Sequence, residues 1–333
     1  MTFRMFFSWK IRKKFVVILA IAVAMALGAM YCVLTNPCLP VIRRAQRIPV
    51  DPRRLRSDVG FLSNLQPPRN NENPAALARA AAYIHGVFAA TGGRVVEQSF
   101  GPRNAYRNIT VSFGPEDGAR VIVGAHYDVF GDNPGADDNA SGVAGLLELA
   151  RLLGELRPVL LRRIDLVAFA NEEPPFFKSP HMGSLVCARR LAADGIKVDA
   201  MVSLEMIGCY SSALNSQSYP ANILRLFYPA RGEFIGVIGD WRNFALVRRV
   251  KRHMKQVMTM GVYSINAPAL VPGIDLSDHW SFWQSGYPAV MITDTAFYRN
   301  SRYHEAGDTA DTLDYARMAE VVKGVYWMAI DGR

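Results

Sequence analysis

Histidines and carboxylates gather at five places along this 333-residue chain: His126-Tyr-Asp128, a GADDNASG run at 135–142 enclosing Asp137 and Asp138, Asn171-Glu172-Glu173, Glu205, and Tyr303-His304-Glu305 followed by Asp308. Two imidazoles with three or four carboxylates form the donor set that a pair of borderline divalent cations requires. Imidazole suits zinc, and a carboxylate can bridge two cations while offsetting their charge. Taken singly, each group has an ordinary structural explanation. A histidine after a strand is usually satisfied locally, an Asp pair in a Gly-bounded turn is turn chemistry, and a Glu pair at a strand end is commonly solvated. Their conjunction argues for a site, because all the ordinary explanations would have to hold at once.

The elements between these groups are what must bring them together. Strand-like runs fall at 95–98, 109–113, 121–125, 164–170, 200–204 and 289–293, and helix-like stretches at 75–90, 143–156, 184–193, 246–258 and 315–328. Several strand runs are apolar on both faces, as expected where helices cover a sheet on each side. The alternation predicts an α/β fold, a three-layer αβα domain with a mostly parallel central sheet. His126 directly follows the run at 121–125, Glu172 and Glu173 follow 164–170, and Glu205 follows 200–204. In open α/β sheets, sites form beyond the carboxyl ends of the strands, so three strands deliver donors to one rim. Residues 209–240, rich in Ser, Tyr, Pro and Gly, fit this alternation poorly and are expected to form an extended excursion.

In this order, His126-x-Asp128, the GADDNASG loop, Asn171-Glu-Glu173, Glu205-Met-Ile-Gly208, Ser277-Asp-His279 and Tyr303-His304 resemble the motifs of the co-catalytic zinc aminopeptidases. These are of the bacterial leucyl aminopeptidase and glutamate carboxypeptidase type, peptidase family M28. The resemblance covers about residue 55 to the C-terminus. It implies two zinc ions per chain, one held by His126 and Glu205 and the other by Glu173 and His304, with Asp138 bridging. Asp138 is preferred to Asp137 because it stands three residues before Ser141, where the family's loop places the bridging residue. Asp128 matches the partner that orients the His126 ring, Glu172 the general base, and Tyr303 a residue that steadies the oxyanion in some members. Many members carry Asp where this chain has Glu205, which offers the same donor atoms on a longer arm. The implied activity is hydrolysis of peptide bonds at the N-termini of peptides or proteins. Two rivals share the fold: a single-zinc acyl transferase resembling glutaminyl cyclase, and a non-catalytic binding domain that has lost ligands. His279 is expected to support the site wall rather than to bind metal. The run at 174–181 reads as an insertion at the rim whose Phe176 and Phe177 could line a pocket.

Residues 15–34 carry no charge and are preceded by Arg4, Lys10, Arg12, Lys13 and Lys14. At about 1.5 Å rise per residue such a helix covers roughly 30 Å, the thickness of a bilayer's hydrocarbon core. The sequence therefore divides into a basic flank (1–14), an uncleaved transmembrane signal anchor (15–34) for which a cleaved signal peptide is the competing reading, a stalk (35–54) and a zinc peptidase domain (55–333). Arg43, Arg44, Arg47, Arg53 and Arg54 follow the span, but the N-terminal set lies closer to it. That favours a cytoplasmic N-terminus and a domain outside the bacterial inner membrane, facing the periplasm. Residues 1–34 hold five of the 38 Lys/Arg and none of the 29 Asp/Glu, so the remainder carries only 33 − 29 = +4. That charge is too mild to indicate nucleic acid. The cluster Arg248, Arg249, Lys251, Arg252, His253 and Lys255 reads as the solvated face of an amphipathic helix, with contact to anionic lipid as the sharper alternative. Four cysteines without a C-x-x-C spacing suggest neither a zinc ribbon nor a disulfide framework, leaving a Cys187–Cys209 bridge open.

Overall fold

The computed structural model describes residues 2–39, 42 and 48–331, with side chains from Lys13 onward. The basic flank's Arg4, Lys10 and Arg12 side chains, and Arg43, Arg44 and Arg47 of the stalk, lie outside the described residues.

In chain order the elements are α1 (Thr2–Thr35), α2 (Pro52–Ser63), α3 (Pro74–Ala89), β1 (Arg94–Phe100), β2 (Tyr106–Phe113), β3 (Arg120–His126), α4 (Gly142–Leu156), β4 (Arg163–Phe169), α5 (Gly183–Ala193), β5 (Val198–Glu205), β6 (Phe234–Gly239), α6 (Phe244–Val257), β7 (Gly261–Asn266), α7 (His279–Gln284), β8 (Ala289–Thr293) and α8 (Tyr315–Ile330). The eight strands form one sheet in the order β1-β2-β4-β3-β5-β8-β6-β7. Its centre, β4-β3-β5-β8, is parallel throughout, as is β6-β7, while β1-β2, β2-β4 and β6-β8 are antiparallel.

Strict alternation along the central strands divides the interior into two cores. Val121, Val123 and Ala125 of β3, Ile164, Leu166 and Ala168 of β4, and Val290 and Ile292 of β8 enter a core shared with α2, α3, α4, α6 and α8. Ile122, Val167, Phe169, Met201 and Met291 point the other way, to α5 and α7. Successive side chains of a strand face opposite sides, so strands covered on both faces are apolar throughout, and the expected three-layer arrangement follows. Some elements depart from expectation. Residues 234–239 of the supposed excursion at 209–240 form β6, packed between β8 and β7, because Phe234, Ile235, Val237 and Ile238 find cover on both sheet faces, and β7 and α7 are likewise additions to the expected strands and helices.

The N-terminal span Lys13–Thr35 is the one described helix long and apolar enough to cross a membrane, with mean hydropathy 2.6 and none of its apolar window buried. Of the stalk expected at 35–54, Thr35, Asn36 and Ile48 are buried against the domain, and α2 already begins at Pro52, capped by the Asp51 carboxylate on the Arg53 amide. The basic cluster of α6 is divided: Arg248, Arg252 and Lys255 are exposed, whereas Lys251 and His253 are buried. Cys187 and Cys209 are both free thiols.

Candidate active site

Strand register sets the first layer of the site. β3 ends on His126 beside Phe169, the last residue of β4, and β5 ends on Glu205 beside Thr293 of β8. Because these strands are parallel neighbours, their carboxyl ends share one rim, and Asn171-Glu172-Glu173 leaves β4 on the same side. The turns there are forced: Asn171, Met206 and His304 take left-handed φ of 59°, 51° and 58°. Non-glycine residues in this region persist only when their surroundings hold them.

Asp138 sits at the centre. Its Oδ1 lies 3.3 Å from Nε2 of His126, and its Oδ2 lies 3.1 Å from Nε2 of His304. Glu205 Oε2 is 3.5 Å from the His126 nitrogen, and Glu173 Oε1 is 3.5 Å from that of His304. Two donor groups therefore form around one carboxylate, His126-Asp138-Glu205 and Asp138-Glu173-His304. Glu172 Oε2 approaches His126 Nε2 at 3.9 Å. Glu173 Oε1 and His304 Nε2 are buried without a hydrogen-bond partner. Buried polar atoms are nearly always paired, and donors aimed at a shared space rather than at one another fit a divalent cation in each group.

The sequence-derived residues divide as follows. His126, Asp138, Glu172, Glu173, Glu205 and His304 come together at this rim. Asp128 faces the His126 ring, its nearest oxygen 3.5 Å from Nδ1, and its two oxygens also accept the amides of Glu172 (3.1 Å) and Glu173 (3.0 Å). It fixes the turn that carries the Glu pair. Tyr303 stacks on His304 with ring centroids 3.8 Å apart and faces the cleft beside Glu205. His279 is fully buried, and its Nε2 lies 2.8 Å from the Ile274 carbonyl oxygen, so the ring is engaged by the site wall. Phe176 and Phe177 are half-buried outside the apolar cleft; Phe176 packs edge-on against Tyr106, and Lys178 pairs with Asp275 at 2.5 Å.

Several supports, some inside the sequence motifs and some far from them, hold these groups in place. Asp308 accepts the amides of Asp137 (2.9 Å) and Asp138 (3.0 Å), and Asn139 links the loop to β5 by donating to the Leu204 carbonyl (2.8 Å) and accepting from Met206 N (3.1 Å). Ser277 donates to Glu205 Oε2 at 2.8 Å. Phe130 stacks on the His304 ring at 4.1 Å. The fully buried Arg69 donates to four carbonyls around the loop, those of Leu62, Tyr127, Pro134 and Gly135. Gly135 has φ +57°, and a Cβ there would meet the Asp138 carbonyl oxygen and Val129 at 2.3 Å, so the loop closes only on glycine.

Burial and mutual charge set the protonation of the metal-free site. Burial, with Glu173, Glu205 and Asp278 as neighbours, pushes the Glu172 carboxyl well above its usual range, against the opposing pull of His126. Burial and the Asp138 charge carry Glu173 up to about 7. Burial opposes protonation of His304, but its contacts with Asp138 and Glu173 outweigh it and raise the imidazole to about 9. Asp138 is held low by the two imidazoles despite its burial.

Beside Glu205 and Tyr303 opens an apolar cleft with a cavity volume of about 110 Å³, walled by Leu224, Tyr228, Ile238, Tyr263 and Met291 among others. A carboxylate- and imidazole-rich centre at the strand ends of an α/β sheet, flanked by an apolar cleft, describes a metal-dependent hydrolase site.

Residues 108–328 match Peptidase family M28, and the chain belongs to that family. It is 48% identical over 286 residues to the Escherichia coli (strain K12) protein YfbL, described only as uncharacterized, covering 82% of this chain and 86% of that one. It is 28% identical over 221 residues to a probable leucine aminopeptidase of Arthroderma otae, covering 63% of this chain and 52% of that protein, so it spans about half the length of this relative. The fold is shared with the LapA aminopeptidase of Legionella pneumophila (TM-score 0.69, 19% identity, covering 84% of this chain and 71% of that one). It is also shared with a Bacteroides thetaiotaomicron glutaminyl cyclase (TM-score 0.62, 19% identity, covering 86% of this chain and 100% of that one).

Proposed function

We propose that this M28 peptidase is an aminopeptidase that binds two zinc ions, one through His126 and Glu205, the other through Glu173 and His304, with Asp138 between them. The observation that carries this reading is the Asp138 carboxylate, which presents one oxygen to each histidine at 3.3 and 3.1 Å. When bound, the metals supply a Lewis acid for the scissile carbonyl and acidify water.

The protein's own groups then act in turn. The carboxylate of Glu172 takes the attacking water's proton and returns it to the leaving amine. Its burial, which favours the protonated form, suits a group that must hold that proton between the two transfers. Asp128, gripping the amides of Glu172 and Glu173, keeps base and ligand in register. The Tyr303 phenol, kept protonated by burial and by the surrounding carboxylates, donates a hydrogen bond to the oxygen that gains charge. The cleft walled by Tyr228, Tyr263 and Met291 receives an apolar side chain. In the same reading residues 15–34 anchor the enzyme in the membrane and the remainder from about residue 55 forms the peptidase domain, outside the bacterial inner membrane.

A single-zinc acyl transferase of the glutaminyl cyclase kind is the second reading, favoured by the shared fold. Zinc counting on the purified full chain separates the two. Two equivalents, with release of a free N-terminal amino acid from unblocked peptides and none from N-acetylated ones, supports the aminopeptidase. One equivalent, with loss of ammonia from N-terminal glutamine, supports the transferase.

A further inference from the structure

The junction between α1 and the domain is locked. At the end of the apolar helix the carbonyl oxygens of Thr35 and Asn36 accept from the buried Lys251 ammonium at 2.5 and 2.6 Å, and Ser264 Oγ donates to Thr35 O at 2.7 Å. A cation at a helix's carboxyl end satisfies its orphan carbonyls and meets the negative end of the helix dipole. Asn36, fully buried and turned to φ +45°, continues the lock. Its Nδ2 donates to Phe244 O and to Asn266 Oδ1, and its Oδ1 accepts from Arg248 Nε at 2.8 Å. One turn earlier, Tyr31 of the span meets the ring of Phe227 at 5.9 Å. Among the described residues Thr35 and Asn36 join helix and domain directly, and these contacts hold the domain against the span.

This lock determines which surface the membrane meets. Residues 222–227, touching the span through Phe227, expose Ile223 (45%) and Leu226 (69%). Trp241, half exposed, follows Asp240, whose carbonyl accepts from the same Asn266 amide group that adjoins Asn36. Arg225 and Arg248 are exposed beside them. Apolar and indole side chains fringed by arginine, continuous with a transmembrane helix, match the chemistry of a bilayer's headgroup boundary. We propose that Ile223, Leu226 and Trp241 form a docking surface that rests in the interface of an anionic lipid bilayer, held there by the Lys251 lock. This rests on the membrane-anchor reading of residues 15–34. It has a consequence for the enzyme, since Leu224 and Tyr228 of the docked segment also wall the apolar cleft beside Glu205. The cleft then lies against the membrane surface and favours peptides that partition into that surface.

The test uses the full chain in nanodiscs of phosphatidylglycerol and phosphatidylcholine, with part of the lipid brominated to quench tryptophan fluorescence. The expected result is that Trp241→Phe removes a large part of the quenching seen in the wild type, and that adding Leu226→Trp to this variant restores it. Equal quenching of the wild type and Trp241→Phe, with no gain from Leu226→Trp, overturns the docking surface. Lys251→Met is expected to abolish the Trp241 contribution while the chain stays in the bilayer; if that variant does not fold, the Trp241 comparison still decides. Alkaline carbonate extraction keeps the two failures distinct. A chain that resists extraction but shows no Trp241 quenching loses the docking surface alone, whereas a chain that is released loses the anchor and the docking with it.

Discussion

The guanidinium of Arg69 donates from Nε to the Tyr127 carbonyl oxygen at 2.9 Å, and so ties a loop before the sheet to the residue that follows His126. Its remaining nitrogens reach Leu62 O (3.2 Å), Pro134 O (2.6 Å) and Gly135 O (2.5 Å), which fixes the entry to the Asp137-Asp138 loop. The charge also faces Asp308, Asp138, Asp128 and Glu173, which support its protonation against burial. Arg69→Met is expected to leave these carbonyls unpaired at a cost of about 3 kcal/mol and to loosen metal binding. Thermal unfolding and zinc content after dialysis check this. Unchanged zinc retention would show that the Asp138 loop holds its shape without the arginine.

Glu172 is the most direct test of the chemistry. Glu172→Gln keeps the size of the side chain and leaves all five proposed ligands in place. It is expected to lower kcat by roughly 10²–10⁴-fold, the usual contribution of a positioned general base, with zinc content unchanged. Turnover within a few-fold of the wild type would remove Glu172 from the base role.

The central strands and the donor-bearing turns were legible because their signals are local: apolar runs such as 121–125 and 164–170 end directly on His126 and on the Asn171-Glu172-Glu173 step. β6 was not, since Phe-Ile-Gly-Val-Ile-Gly carries two glycines and lies in a Ser-, Tyr- and Pro-rich stretch; only cover from both sheet faces makes it a strand. Pro52, Arg53 and Arg54, the first residues of α2, fall in the expected stalk because prolines crowd that stretch, although Asp51 followed by proline is also a helix-start pattern. Arg69 leaves no trace in the sequence, because three of the carbonyls it binds lie 58 to 66 residues away. Phe130 acts through its contact with His304, which depends equally on the folded chain, and Ser277, although it stands in the Ser277-Asp-His279 motif, shows its hydrogen bond to Glu205 only in the folded chain.

The pH behaviour of the metal-free protein follows from its imidazoles. His304 is raised from 6.5 to about 9, so its contacts contribute stability below pH 6.5 that is lost as pH rises through 9. Metal binding requires that proton to leave, so apparent zinc affinity is expected to weaken as pH falls from 9 to 6, with protons released on binding. Calorimetry in buffers of different ionisation enthalpy measures that release. A proton count of zero at pH 7 would show that the site is already deprotonated before zinc arrives.

Ser277 tests how far Glu205 depends on its surroundings. The hydroxyl donates to Glu205 Oε2 at 2.8 Å and lies 2.7 Å from Ser203 Oγ, so the carboxylate is aimed by a chain of two hydroxyls rooted on β5. The side chain is long, and without this hydrogen bond it regains rotamers that turn the oxygen away from His126 and Asp138. Ser277→Ala removes one buried donor and creates little space, so unfolding is expected to change by about 1 kcal/mol. The larger effect is expected at the His126-Glu205 position, where loss of an orienting partner weakens metal binding by roughly 10–100-fold. Competition with a graded series of chelators would read out the two sites in turn. Weakening confined to one equivalent of zinc is the expected pattern, and equal weakening of both equivalents would mean that Ser277 supports the whole rim and not Glu205 in particular.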